Sequence, residues 1–168
     1  MDSLLVRLQK AFPGLLFSPG DQFCWSPKIG TIIYKNSGKS SPISAWSLLH
    51  EVGHALLHHH NYESDLQLLE MESQAWEKAQ EIGKIYNYQI DPNHIEDCMD
   101  TYRDWLHQRS ACPNCSTRSL QQDARNYRCF NCGQTWSVSS SRFCRPYRRK
   151  EIENKKSPQS ITSEATFV

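Results

Sequence analysis

Apolar residues recur at helical spacing in four stretches of the chain, and two short strand-like segments lie between the first and the second. Residues 2–12 place Leu4, Leu5, Leu8, Ala11 and Phe12 on one side of a helix that Pro13-Gly14 ends. Residues 22–26 and 31–34, joined by Pro27-Lys28-Ile29-Gly30, predict a hairpin, and a polar loop follows to residue 41. Ser41-Pro42 is a helix start, with Ser as cap and Pro in the first turn. That helix is expected to run to about His58 and to bury Ala45, Leu48, Leu49, Val52 and Leu56. A third, over about residues 65–87, aligns Leu68, Leu69, Ala75, Trp76, Ala79 and Ile82. Asp91-Pro92 caps a fourth, striped by Ile95, Cys98, Met99, Tyr102, Trp105 and Leu106. At Ser110 the periodicity stops and cysteines take over. Beyond Lys150 the chain is polar and reads as a disordered tail. The pattern divides the chain into an α+β domain at 1–109, a cysteine module at 110–147 and a tail at 148–168.

Charge sharpens that division. Residues 1–100 hold 7 Lys/Arg against 13 Asp/Glu, and residues 101–150 hold 10 against 2, so the two units are suited to different partners. A hydrophobic content of 38% is enough for a packed core and excludes wholesale disorder. No apolar run approaches the roughly 20 residues of a membrane span, and the start carries no secretory pattern. The expected setting is the reducing cytoplasm, with no membrane partner, where paired cysteines hold metal more readily than disulfides.

His50-Glu51-Val52-Gly53-His54 lies on the second predicted helix. Histidines four apart project from one face and reach one ion, leaving room for a third ligand and a water. Glu51 is placed as the general base for a water that the metal activates. The bland alternative is a solvated, His-rich helix end. For the third ligand, Glu72 and Glu70 lead. Glu72 is flanked by Leu68, Leu69, Ala75, Trp76 and Ala79 in the buried stripe, where a carboxylate is costly unless paired or metal-bound. Glu70 is flanked mostly by polar residues. A Glu72 salt-bridged within the core is the alternative. His60 stands where the metzincin pattern has a third histidine, but Leu57 replaces the turn-forming glycine, so His60 is expected to continue the helix and point away. His58, His59 and His60 read as a polar helix end. Tyr62, Tyr86 and His94 are candidates for stabilising an oxyanion.

Cys112-Pro-Asn-Cys115 and Cys129-Phe-Asn-Cys132-Gly133 give two knuckles whose four thiolates make a closed tetrahedral zinc site, structural because no position is left for substrate. A module of about 40 residues has little core, so the metal supplies its folding energy. Cys24, Cys98 and Cys144 have no partner pattern. Arg118, Arg125, Arg128, Arg142, Arg145, Arg148, Arg149 and Lys150 alternate with Tyr127, Phe130, Trp136, Phe143 and Tyr147. This mixture suits nucleic acid, with phosphates met by Arg and bases by stacking, or else it is a solvated basic face or a patch docking on the acidic half.

The run Trp46-Ser-Leu-Leu-His-Glu-Val-Gly-His-Ala-Leu-Leu-His58, followed by Glu72-Ser-Gln-Ala-Trp-Glu-Lys-Ala79, resembles the ImmA/IrrE-type metallopeptidases over about residues 20–85. That resemblance implies a gluzincin in which His50, His54 and Glu72 hold zinc and Glu51 is the catalytic acid. The family's usual helix-turn-helix domain is not visible. A zincin followed by a zinc ribbon also resembles the SprT-like proteins, which use a third histidine, and His94 is the distant candidate here. The expectation is a small α+β zincin-like domain, a hairpin plus three or four helices, followed by a zinc ribbon. It would hold two zinc ions and act as an endopeptidase on a protein substrate, with nucleic acid a further partner of the ribbon. The non-enzyme alternative is a zinc-stabilised nucleic-acid adaptor.

Overall fold

Helices form where a capping side chain meets an apolar stripe. The computed structural model of the protein describes residues 2–35 and 41–139, and the backbone of residues 148–150. Helix α1 is Asp2–Ala11, and its Leu4 and Leu8 are fully buried. Helix α2, Pro42–Leu56, is capped by Ser41, whose hydroxyl accepts the Ser44 N–H at 3.1 Å. Ser64 caps α3, Asp65–Tyr86, which ends at left-handed Asn87; Asp91 caps α4, Pro92–Arg109.

Strands β1 (Leu16–Gly20), β2 (Cys24–Ser26) and β3 (Thr31–Lys35) form a sheet in the order β1-β3-β2. The hairpin is present, with Trp25 of β2 opposite Ile32 of β3. Strand β1 pairs parallel to β3 and was not among the expected strands. An edge strand tolerates its Pro19, which has no N–H to donate. Leu48, Leu49 and Val52 of α2 pack against Ile32, the α1 leucines and Ala79 of α3 in one core. A Cβ at Gly53 would lie 2.5 Å from the Ala75 carbonyl oxygen, so glycine is what lets α2 and α3 come this close.

Helix α2 stops at Leu56. The expectation that it continues through His60 is corrected: His58 takes the left-handed conformation, with φ 53°, and turns the chain back without a glycine. That turn brings His59 inward, where it is buried.

A second sheet joins β4 (Asn126–Arg128), β5 (Thr135–Val138) and β6 (Arg148–Lys150), all antiparallel. The ribbon therefore takes in the first three residues of the expected tail, and residues 151–168 lie outside the described residues. Tyr127 and Trp136 stack at 5.4 Å inside the ribbon and are buried, so neither is free to stack on a base. The ribbon is seated on the helices through Arg109, 1% exposed. Its guanidinium lies 4.4 Å from the Trp105 ring, donates to the Ala124 carbonyl at 3.3 Å and faces Asp65 at 3.7 Å. The Tyr127 hydroxyl donates to Asp65, and the Trp136 indole to the Arg109 carbonyl. The described residues are thus an α+β arrangement of four helices and two small sheets. No described helix is long and apolar enough to cross a membrane.

Candidate metal centres

One helical turn of α2 puts His50 and His54 side by side, and the Gly53–Ala75 contact brings Glu72 of α3 over them. The Nε2 atoms of the two histidines are 3.0 Å apart, and Glu72 Oε2 is 3.2 Å from His50 Nε2 and 3.5 Å from His54 Nε2. Zinc bonds of about 2.0–2.1 Å in tetrahedral geometry place ligand atoms about 3.3–3.4 Å apart, so this triangle fits such an ion. All three residues are buried. Burial alone would raise the Glu72 carboxyl, but hydrogen bonding and charge from His50 and His54 outweigh it and hold the group at about 2. Glu70 is exposed on the opposite side of α3.

The two histidines are held differently. His54 Nδ1 lies 2.8 Å from His59 Nδ1, while His50 rests on the Trp76 ring at 4.1 Å and its buried Nδ1 has no hydrogen-bond partner. When His54 donates its Nδ1 proton to His59, its Nε2 carries a bare lone pair aimed at the Glu72 carboxylate. Lone pairs converging in a buried site need a cation or a proton between them, and a divalent metal meets that need at all three atoms.

Glu51 stands beside the triad, its Oε2 accepting the Trp25 N–H of edge strand β2 at 2.6 Å. It opens onto a cleft of about 280 Å³ whose lining also includes His54, Glu72, Trp25, Tyr62 and Tyr102. Of the three oxyanion candidates only Tyr62 lines this cleft. Tyr86 packs in the core beneath the Arg7 guanidinium, and His94 sits against Trp46 and Trp76 with ring centroids 5.1 and 5.7 Å away. His60 lines the cleft but lies outside the donor triangle. Trp25, His59 and Tyr102 were not anticipated as site residues. The early turn at His58 carried no sequence signal, and Tyr102 sits on a stripe that reads as core. Cys24 also lines the cleft, its thiol pushed up by burial and then by Glu51.

The four cysteines converge as a second group. Cys112 and Cys132 sulfurs are 3.6 Å apart and those of Cys115 and Cys129 3.5 Å, close to the roughly 3.8 Å edge of a tetrahedron with zinc–sulfur bonds of about 2.3 Å. Both knuckles turn alike: Ser116 (φ 61°) and Gly133 (φ 73°) are left-handed and donate to the carbonyls of Cys112 and Cys129. Backbone N–H groups of Asn114 and Cys132 point at the Cys112 and Cys129 sulfurs. Hydrogen bonds to Thr117 draw the Cys115 thiol down to about 6, whereas burial pushes Cys112 up to about 11.

Of the expected basic residues, Arg118, Arg125 and Arg128 are exposed, as is Phe130. Arg142 and Arg145, with Phe143, Cys144 and Tyr147, lie outside the described residues, and only backbone is described at Arg148 and Arg149. Comparison with protein-family models, curated proteins and solved structures finds no match.

Proposed function

We propose that the protein is a zinc-dependent endopeptidase that hydrolyses peptide bonds of a protein substrate at the His50–His54–Glu72 centre. The observation that carries this reading is the convergence of three buried donor atoms with a fourth group, Glu51, beside them in an open cleft. His50, His54 and Glu72 would hold zinc there, and the ion would supply Lewis acidity to lower the pKa of a water and polarise a peptide carbonyl. Glu51 takes the proton from that water on its carboxylate and passes it to the leaving amine, while the Trp25 N–H fixes the carboxylate's direction. Tyr62 lines the cleft and is the candidate donor to the developing oxyanion. Strand β2 is a sheet edge beside Glu51, and this is where an extended peptide would add as a strand.

The ImmA/IrrE resemblance is supported by the carboxylate in the third position. The SprT-like reading needs a histidine there, and His94 packs against two tryptophans instead. The four cysteines suit a structural zinc. The exposed Arg125, Arg128 and Phe130 favour a nucleic-acid contact by the ribbon, made through phosphates more than through stacking.

The test is Glu51→Gln. Zinc content is expected to be unchanged, while hydrolysis of a denatured protein or an unstructured peptide falls by at least about 100-fold. Equal activity in the variant would remove Glu51 as the base, and a wild type with no hydrolysis above background would leave the zinc-stabilised adaptor.

A further inference from the structure

His50, His54, Glu72 and Glu51 carry the proposed chemistry, and a third histidine, His59, is buried against His54 with no part in it. His59 follows the left-handed His58, a conformation that residues other than glycine adopt at a cost. The turn carries the His59 ring back under α2, where its Nδ1 meets His54 Nδ1 at 2.8 Å. On its far side His59 Nε2 lies 3.3 Å from Gln74 Oε1, and its carbonyl accepts the Trp25 indole N–H at 2.8 Å. Three elements thus converge on one residue that neither lies in the donor triangle nor fills the main core.

Tautomers make the arrangement directional. With Nε2 turned to His50 and Glu72 as a metal donor, the His54 proton would sit on Nδ1 and be donated to His59. His59 then accepts at Nδ1 and carries its own proton on Nε2, where the Gln74 amide oxygen receives it. Gln74 lies one helical turn or less from Glu72, on the same helix that supplies the third donor.

We propose that His59 is a positioning residue for the metal centre, a relay that fixes the tautomer and ring angle of His54 and is itself held by Gln74 and the Trp25 indole. The inference rests on the metal-centre reading above. A ligand histidine without such an anchor loses orientation and basicity, and partners of this kind typically change metal affinity by about 10–100-fold. Trp25 ties the relay to the proposed base, since its backbone N–H holds Glu51 and its indole holds the His59 turn.

The experiment measures zinc affinity of the full chain by competition with a chromophoric chelator, and records the visible spectrum of the cobalt-loaded protein. His59→Leu, which fills the space without an acceptor, is expected to weaken the weaker-binding zinc by about 10–100-fold and to shift the cobalt bands of the His50–His54–Glu72 centre. His59→Gln keeps an acceptor for the His54 proton and is expected to restore most of the affinity. Gln74→Ala alters an exposed position with little packing to lose, and is expected to weaken zinc in the same direction but by less. Wild-type affinity in His59→Leu, or no rescue by His59→Gln, overturns the relay while leaving the two-metal reading intact. Zinc bound by the wild-type chain at the four cysteines alone would overturn both.

Discussion

The two candidate metal centres are made in opposite ways. The four cysteines come from two knuckles within about 20 residues, each closed by its own turn, on a module whose buried apolar cluster holds little beyond Tyr127, Trp136 and Val138. The His50–His54–Glu72 centre stands on helices that a shared core already fixes, a core that includes leucines of α1 and α2. In the first case a bound metal would hold the fold. In the second the fold holds the donors, and the open side of the triangle faces a cleft with Glu51 in it. A closed shell built from local sequence suits structure, and a shell assembled by tertiary packing leaves room for chemistry.

That contrast breaks first at the ribbon. Cys115→Ser is expected to remove one zinc and unfold residues 110–139, because apparent binding energies on the order of 10 kcal/mol stand behind such modules. Proton–nitrogen correlation spectra check it: signals from the ribbon should collapse to random-coil positions while those of α1 to α3 stay dispersed. A ribbon that keeps its dispersion would make the site dispensable to its own fold.

Next in size is Glu72→Ala, which should abolish zinc at the helical centre and leave the helical content unchanged by circular dichroism. Glu70→Ala, on the exposed side of α3, should retain the metal. Equal zinc loss in the two variants would contradict the assigned donor.

A smaller effect sharpens how the centre is assembled. Gly53→Ala forces a methyl toward the Ala75 carbonyl oxygen, 2.5 Å from where its Cβ would sit, and so pushes α3 away from α2. The expected loss is about 1–3 kcal/mol of stability to urea, with weaker zinc binding, since Glu72 moves with α3. Unchanged stability would mean that the two helices are not in contact at that point.

These centres were not equally legible in the sequence. Cys-x-x-Cys spacing is local, so the ribbon's candidate ligands stand out without any knowledge of the fold. His50 and His54 are local too, through the helical turn, and Glu72 becomes visible only because a carboxylate in an apolar stripe demands a partner. The early end of α2 was hidden, because no glycine or proline marks it and His58 takes the left-handed turn instead. With that turn went His59. Strand β1 was missed because its pairing with β3 is non-local. Tyr127 and Trp136 read as surface aromatics among arginines, yet the ribbon has so little apolar material that it buries both.

If one chain carries two metal centres of different construction, one of them built on the His50–Glu51–His54 turn, each should lose its own metal independently of the other. Zinc per chain, measured by elemental analysis of freshly purified wild-type, His54→Ala and Cys115→Ser proteins, tests it most directly. Two zinc ions are expected in the wild type and one in each variant, with His54→Ala keeping its full fold. A wild type with a single zinc that His54→Ala retains would contradict it.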